Sequence, residues 1–319
     1  MVEKISANLE VRNEASEAIE SFIDNARNDI VNEQEIKGFV EGMIGKTSPD
    51  AISAIASLKK SDQTYAHCVD VSGIFSNVCC RLIHENNKQS AFKNDEEITF
   101  AAFLHDFGKA KVPKEILDST ERFELDGPEM KLIRQHPQNG LDYLSKMNQP
   151  DYIHNIVLNH HVKLDSKINT SYPENANYDD VIWETRLLSI VDVYQALIGK
   201  RSYKKPWTPA ATMQFLDNLA GVEFDPDILE DFRQIMGLYP VGSLVELSDG
   251  SVAFVMHVPE GDLEKPPVVV VQDAEGTDIE KHTLLNLQDE LEITIKKDLD
   301  AQDVFGEQAL DKFTQIKLS

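Results

Sequence analysis

Cysteine is scarce: the chain has only Cys68, Cys79 and Cys80, two of them adjacent. So sparse a set excludes a disulfide framework and points to buried thiols in a reducing compartment. Basic residues are outnumbered, 31 Lys and Arg against 55 Asp and Glu, for a net charge of −24. Binding of DNA or RNA rests on Lys and Arg neutralising phosphates, so this balance argues against a nucleic-acid partner. No apolar run approaches the ~18 residues that a membrane helix needs. The opening Met1-Val2-Glu3-Lys4-Ile5-Ser6 carries acid early and has no apolar signal core, so a cytoplasmic location is expected. Residues 1–60 hold neither a ligand cluster nor a glycine-rich phosphate loop.

What remains is an ordinary globular composition, 41% hydrophobic and 27% charged, over 319 residues. Residues 1–60 predict a helical N-terminal region, because Ala15, Ala18, Ile19, Phe22, Ile23, Ala26 and Ile30 repeat at three- and four-residue steps. Ile36, Phe39, Val40, Met43 and Ile44 do the same, and Ser48-Pro49-Asp50 reads as a helix start. Residues 61–239 predict long amphipathic helices and no strand. Residues 240–295 predict a small β module, with runs at Val241–Leu247, Ser251–Val255, Val268–Val271 and Leu291–Ile295, the first two joined by an Asp-Gly turn. Residues 296–319 read as a polar tail or docking helix. The expected fold class is mostly α.

The chemistry lies in one series of residues. His105-Asp106 sits inside Phe103-Leu104-His105-Asp106-Phe107-Gly108-Lys109, and His67, His136, His160, His161 and Asp192 stand on or beside other helix-like stretches. Imidazole nitrogens and a carboxylate able to bridge are the ligands that first-row divalent metals take in hydrolytic sites. A helical domain focusing them on its axis would hold two ions, about 3.5–4 Å apart, able to share a hydroxide and clamp a phosphate. His84, His154, His257 and His282 fall outside the series and read as ordinary surface or core groups.

The order of these residues resembles the HD superfamily of metal-dependent phosphohydrolases, and more narrowly its HD-GYP branch, phosphodiesterases of the bacterial messenger cyclic di-GMP. The resemblance runs from about Ser61 to Tyr239. Leu104-His105-Asp106-Phe107-Gly108-Lys109, with Val112-Pro113 and Ile116-Leu117, is close to the signature LHDIGK-x-x-IP-x-x-IL. Ile190-Val191-Asp192-Val193-Tyr194-Gln195-Ala196-Leu197 with Arg201-Ser202-Tyr203-Lys204 matches a second diagnostic stretch, and Phe224-Asp225-Pro226 a late FDP element.

The resemblance implies an HD-type helical domain between the helical N-terminal region and the β module. It implies Asp106 as a bridge between two divalent metals, with His67, His105 and Asp192 completing one site and His136, His160 and His161 the other. Iron is the implied metal, with manganese second. Lys109 is implied to hold the scissile phosphate, and Arg201 and Lys204 to reach the phosphodiester. The implied partner is a cyclic dinucleotide, alongside other cyclic di-GMP signalling proteins. The implied reaction opens cyclic di-GMP through a hydroxide shared by the metals, with Asp106 and Lys109 as catalytic residues.

The chain also departs from the pattern. The branch is named for HHE-x-x-DG-x-GYP, where this chain has His160-His161-Val162-Lys163-Leu164-Asp165-Ser166-Lys167-Ile168-Asn169-Thr170-Ser171-Tyr172-Pro173. Val162 replaces the glutamate, and Ser166 and Ser171 replace glycines whose positive φ shapes the loop. Tyr172, the implied substrate contact, is therefore expected to be displaced, and turnover to be slow. Gln63 stands where some relatives hold a third metal with glutamate, so two metals are expected. Gln195 replaces an aspartate, which is expected to weaken a contact behind the ligands. The rebuilt loop supports an alternative: a degenerate member that binds metal and nucleotide, or a signalling partner, without useful turnover. A third reading, another HD phosphohydrolase, is opposed by Arg201, Lys204 and the FDP element.

Overall fold

The computed structural model describes residues 2–43, 49–58, 64–119, 121, 123–199, 205–290 and 292–316. α1 (Val2–Arg27), α2 (Glu33–Met43) and α3 (Pro49–Leu58) form the N-terminal part. Ala15, Ile19, Phe22, Ile23 and Ala26 are buried, as their periodicity requires. Ile30 is not. α1 stops at Arg27, Asp29 turns the chain at φ 58°, and Ile30 is left 59% exposed. α3 begins at Pro49, whose fixed φ suits a first helical position; Ile44 and Ser48 lie outside the described residues.

The helical core follows. α4 (Thr64–His84) and α5 (Asp95–Leu104) lead through a 3-10 turn at Phe107–Lys111 to α6 (Lys114–Leu117), α7 (Pro128–Ile133), α8 (His136–Leu144) and α9 (Asp151–Asn159). α10 (Trp183–Ile198), α11 (Pro209–Asp217) and α12 (Pro226–Met236) complete it. Asn94 caps α5 by accepting from the Glu97 amide at 2.9 Å, and acids fill that helix's first turn. Asp225 caps α12 and Pro226 opens it, so the Phe224-Asp225-Pro226 element is a helix start. α1, α3, α5, α10 and α12 all pack on α4. Val71, Ile74, Phe75 and Val78 of α4 share one apolar cluster with Leu187, Leu188, Ile190, Val191 and Tyr194 of α10.

The β module is one antiparallel sheet of β1 (Leu244–Leu247), β2 (Val252–Val255), β3 (Pro267–Gln272), β4 (Leu284–Asn286) and β5 (Ile295–Leu299), ordered β4-β3-β2-β1-β5. The β1–β2 hairpin turns through Asp249-Gly250 as expected, with Gly250 at φ 89° and Leu244 paired with Phe254. Two expectations need correction. The run at Leu291–Ile295 contributes only Ile295 to a strand (Leu291 lies outside the described residues), while β4 and most of β5 went unanticipated. Both are edge strands with one neighbour each; β4 is only three residues long, and three charged residues fill the middle of β5, so neither shows a clear strand pattern. The stretch from Lys296 is likewise no tail. It forms β5, α13 (Ala301–Phe305) and α14 (Ala309–Thr314). Ala301, Ala309 and Phe313 join a core with Phe254 of the sheet and Ala51, Ala54 and Leu58 of α3.

Candidate metal centre

The ligand-type residues come from element ends that converge. His67 lies in the first turns of α4, His105 ends α5, Asp106 opens the 3-10 turn, His136 opens α8, and His160 ends α9. Asp192 reaches in from the middle of α10. Gly108 makes the approach of α8 possible. A Cβ there would lie 1.9 Å from the His136 carbonyl oxygen and 2.4 Å from the Gly140 nitrogen.

Asp106 is the meeting point. Its Oδ2 faces His105 Nε2 at 3.4 Å and is ion-paired with Lys109, while its Oδ1 faces His136 Nε2 at 3.2 Å and His160 Nε2 at 3.9 Å. One carboxylate thus borders two groups able to hold a cation: His136, His160 and His161 on one oxygen's side, His67 and His105 on the other's. Asp192 touches both groups, Oδ1 at 2.9 Å from His67 Nε2 and Oδ2 at 3.8 Å from His161 Nδ1. All seven residues anticipated from the sequence come together.

Hydrogen bonds behind the rings decide what faces the centre. His105 Nδ1 donates to Ala102 O at 2.6 Å, His136 Nδ1 to Ile133 O at 2.8 Å, and His160 Nδ1 to Val157 O at 3.0 Å. A neutral ring that donates through Nδ1 presents a bare lone pair at Nε2. His136 Nε2 and His160 Nε2 then face each other lone pair to lone pair at 3.1 Å, and His105 Nε2 is buried with no hydrogen-bond partner. Buried acceptors turned on one another call for a cation, so these residues fit a pair of divalent metals.

The electrostatics agree. Burial pushes the His136 imidazole down to about 4, and burial with neighbouring imidazoles holds His160 and His161 well below the ordinary value, so these rings are neutral, the form that ligates. Burial alone would raise the Asp106 carboxyl, but Lys109 and His105 outweigh it and hold it well below the usual range. At Asp192 burial is likewise outweighed, by His67. His105 runs the other way: burial lowers it, but Asp106, 3.4 Å from its Nε2, with Asp192 and the Ala102 carbonyl, more than offsets this and raises it.

Tyr172 lies at the centre. It stacks on His161 with ring centroids 4.4 Å apart, and the Arg134 guanidinium lies 5.4 Å over its ring. Ser166 and Ser171 do not take the positive φ of the glycines they replace; in this loop Asn175 does, at 65°. The loop is shaped instead by bonds from Leu164 N to Glu223 O at 3.0 Å and Asp165 N to Val222 O at 2.8 Å. Gln195 makes the contact behind the ligands, its Oε1 accepting from His67 Nδ1. Cys68, Arg134, Asp70 and Arg12 were not singled out from the sequence. Cys68 donates to Asp106 Oδ2 at 3.6 Å, and burial, then Asp106, push its thiol up, so it is no thiolate. Only its place beside His67 could have marked it. Arg201, Lys204 and Gln63 lie outside the described residues.

Comparison with known proteins adds the family. The chain matches the HD domain over residues 50–228 and a KOW domain associated with HD domain over residues 244–307. It is 33% identical over 226 residues to a cyclic di-GMP phosphodiesterase of Pseudomonas aeruginosa, covering 70% of this chain and 51% of that protein. It is 31% identical over 189 residues to a 3'3'-cGAMP-specific phosphodiesterase of Vibrio cholerae, covering 58% of this chain and 34% of that one. The chain therefore spans about half the length of the first relative and a third of the second. An HDG"Y"P protein from Bdellovibrio bacteriovorus shares the fold, with a TM-score of 0.51 over 70% of each chain at 14% identity. Among the described residues no helix is long and apolar enough to cross a membrane. A match over more than half of the chain, laid across the residues that converge on Asp106, places it: the chain belongs to the HD-domain family, in keeping with its HD-GYP-like motifs.

Proposed function

We propose that this chain hydrolyses a cyclic dinucleotide, cyclic di-GMP first among them, to the linear dinucleotide at a two-metal centre, with iron preferred and manganese second. The observation that carries the reading is Asp106, whose two oxygens border two separate histidine groups. The phosphodiesterase relatives support the substrate class. Two divalent ions, when bound, supply Lewis acidity toward the phosphate and an activated water.

The chain's own residues position and neutralise. Asp106 would serve both cations; His67, His105 and Asp192 would complete the holding of one, and His136, His160 and His161 of the other. Backbone carbonyls behind His105, His136 and His160 keep Nε2 of each ring turned inward. Lys109 brings a fixed positive charge to the edge of the centre, where charge grows on the phosphate in the transition state. Tyr172 and Arg134 offer an aromatic face and a guanidinium beside His161 for the nucleotide. Arg201 and Lys204 serve the phosphodiester, on the resemblance of their motif.

Turnover is slow on this reading, because Val162 supplies no charge where the branch has a glutamate. The binding-only alternative draws on the same altered loop, yet the phosphodiesterase relatives favour catalysis. The test is conversion of cyclic di-GMP and 3'3'-cGAMP by iron- or manganese-loaded protein, with Asp106→Ala as the blank. Conversion above the blank is expected. Activity no greater than the blank overturns the enzyme reading and leaves binding.

A further inference from the structure

His67 is backed by a buried line of side chains that reaches the N-terminal helix. Its Nδ1 donates to Gln195 Oε1. The other end of that amide, Nε2, donates to Asp70 Oδ2 at 3.1 Å. Asp70 in turn accepts from Arg12 of α1 with both oxygens, from Nε at 2.6 Å and from Nη2 at 2.7 Å. Arg12, Asp70, Gln195 and His67 are each less than a tenth exposed, so these bonds are strengthened by their low-dielectric surroundings.

The polarity of the line has a consequence. An amide can present either its oxygen or its NH2 group. Asp70 accepts only, so it draws the NH2 of Gln195 and leaves the oxygen for His67. A neutral His67 then carries its proton on Nδ1 and turns the lone pair of Nε2 toward Asp192 Oδ1, 2.9 Å away, the form in which it can ligate. An aspartate at position 195 would set a second carboxylate against Asp70. The glutamine and the Arg12–Asp70 pair therefore belong together.

We propose that Asp70, held by Arg12, sets the orientation of the Gln195 amide and through it the His67 tautomer that can ligate, which makes α1 part of the metal centre. Asp70, Gln195 and Arg12 are positioning residues. The inference rests on the two-metal reading above.

Asp70→Asn tests it. The new amide would turn its oxygen to Arg12 and its NH2 to position 195, so Gln195 would reverse and offer NH2 to His67, forcing the proton onto Nε2. The expected result, in Mn2+ titrations of metal-free protein followed by calorimetry, is one cation bound about 10–100-fold more weakly and the other unchanged. Gln195→Glu added to Asp70→Asn should restore the lost affinity, since a carboxylate accepts from both neighbours and the net charge of the line returns to that of the wild type. A purely structural role predicts no such rescue. Gln195→Met, which removes the acceptor, should weaken the same single cation and serves if Asp70→Asn does not fold. Two cations at wild-type affinity in Asp70→Asn, or in Gln195→Met should Asp70→Asn not fold, overturn the proposal, as does a double variant no tighter than Asp70→Asn. Wild-type protein that binds no Mn2+ at all overturns the metal-centre reading itself, and this inference with it.

Discussion

Gly108→Ala isolates the geometry of the centre without touching a ligand. The added Cβ would fall 1.9 Å from the His136 carbonyl oxygen, and ordinary contact begins at 3.4 Å. The start of α8 must therefore retreat by roughly 1.5 Å, because both clashing groups are backbone and no side-chain rotation relieves them. Val157 crowds α8 at Gly140, where a Cβ would meet its Cγ1 at 2.5 Å, so the helix packs tightly there too. His136 is the first residue of α8, and its Nε2 now sits 3.2 Å from Asp106 Oδ1. A retreat of that size takes His136 out of reach of a cation shared with Asp106. Overpacking of this kind costs about 1–3 kcal/mol, which lowers the melting temperature by ~2–4 °C per kcal/mol in a domain this large. Misplacing a reacting group by about 1 Å costs roughly 10²-fold in rate. Elemental analysis, thermal melting and cyclic di-GMP conversion read the three effects. Gly38→Ala is the control, since nothing lies within 4 Å of a Cβ there. Full metal content and wild-type turnover in Gly108→Ala would show that the close approach of α8 is not what builds the site.

Asp106→Ala should release both metals together, as its carboxylate belongs to both candidate cation groups, whereas His136→Ala should deplete one; metal counted per chain decides, and two metals retained in Asp106→Ala would remove the bridge. Lys109→Ala should keep its metals and lose on the order of 10²–10³ in rate, as charge-stabilising donors do; an unchanged rate at full loading returns Lys109 to a structural role. The folded His136 imidazole titrates at about 4, below the ordinary 6.5, so as pH falls the unfolded chain takes up this proton first. The stability tied to it is complete above 6.5 and is lost as pH falls from there toward about 4. Melting of metal-free protein across that range should therefore fall more steeply in the wild type than in His136→Asn; equal slopes would refute this.

Much of this protein was legible from local pattern. Apolar residues at helical spacing marked the buried face of α1 and the core faces of α4 and α10, because a helix buries one stripe whatever it packs against. The order His67, His105-Asp106, His136, His160-His161, Asp192 announced the centre, because few other roles demand that many imidazoles around carboxylates. Asp249-Gly250 marked its hairpin, because that turn needs positive φ.

Other features depend on partners far off in sequence, and only the tertiary structure decided them. Gln195 looked like a loss against the family pattern. Its value depends on Asp70, 125 residues away, and on Arg12, a further 58 back. Tyr172 stacks on His161 with its amide donating to the His161 carbonyl at 3.2 Å, while Val222 and Glu223 hold Leu164 and Asp165 from outside the loop. β5 and the helices after it looked too polar to pack, yet Phe313 found Phe254 and α3. Spacing and composition report what a segment can bury or ligate by itself, since those follow from the periods of helix and strand. Which acceptor faces which donor, and which edge is covered, is set by contacts that exist only once distant segments have left water together.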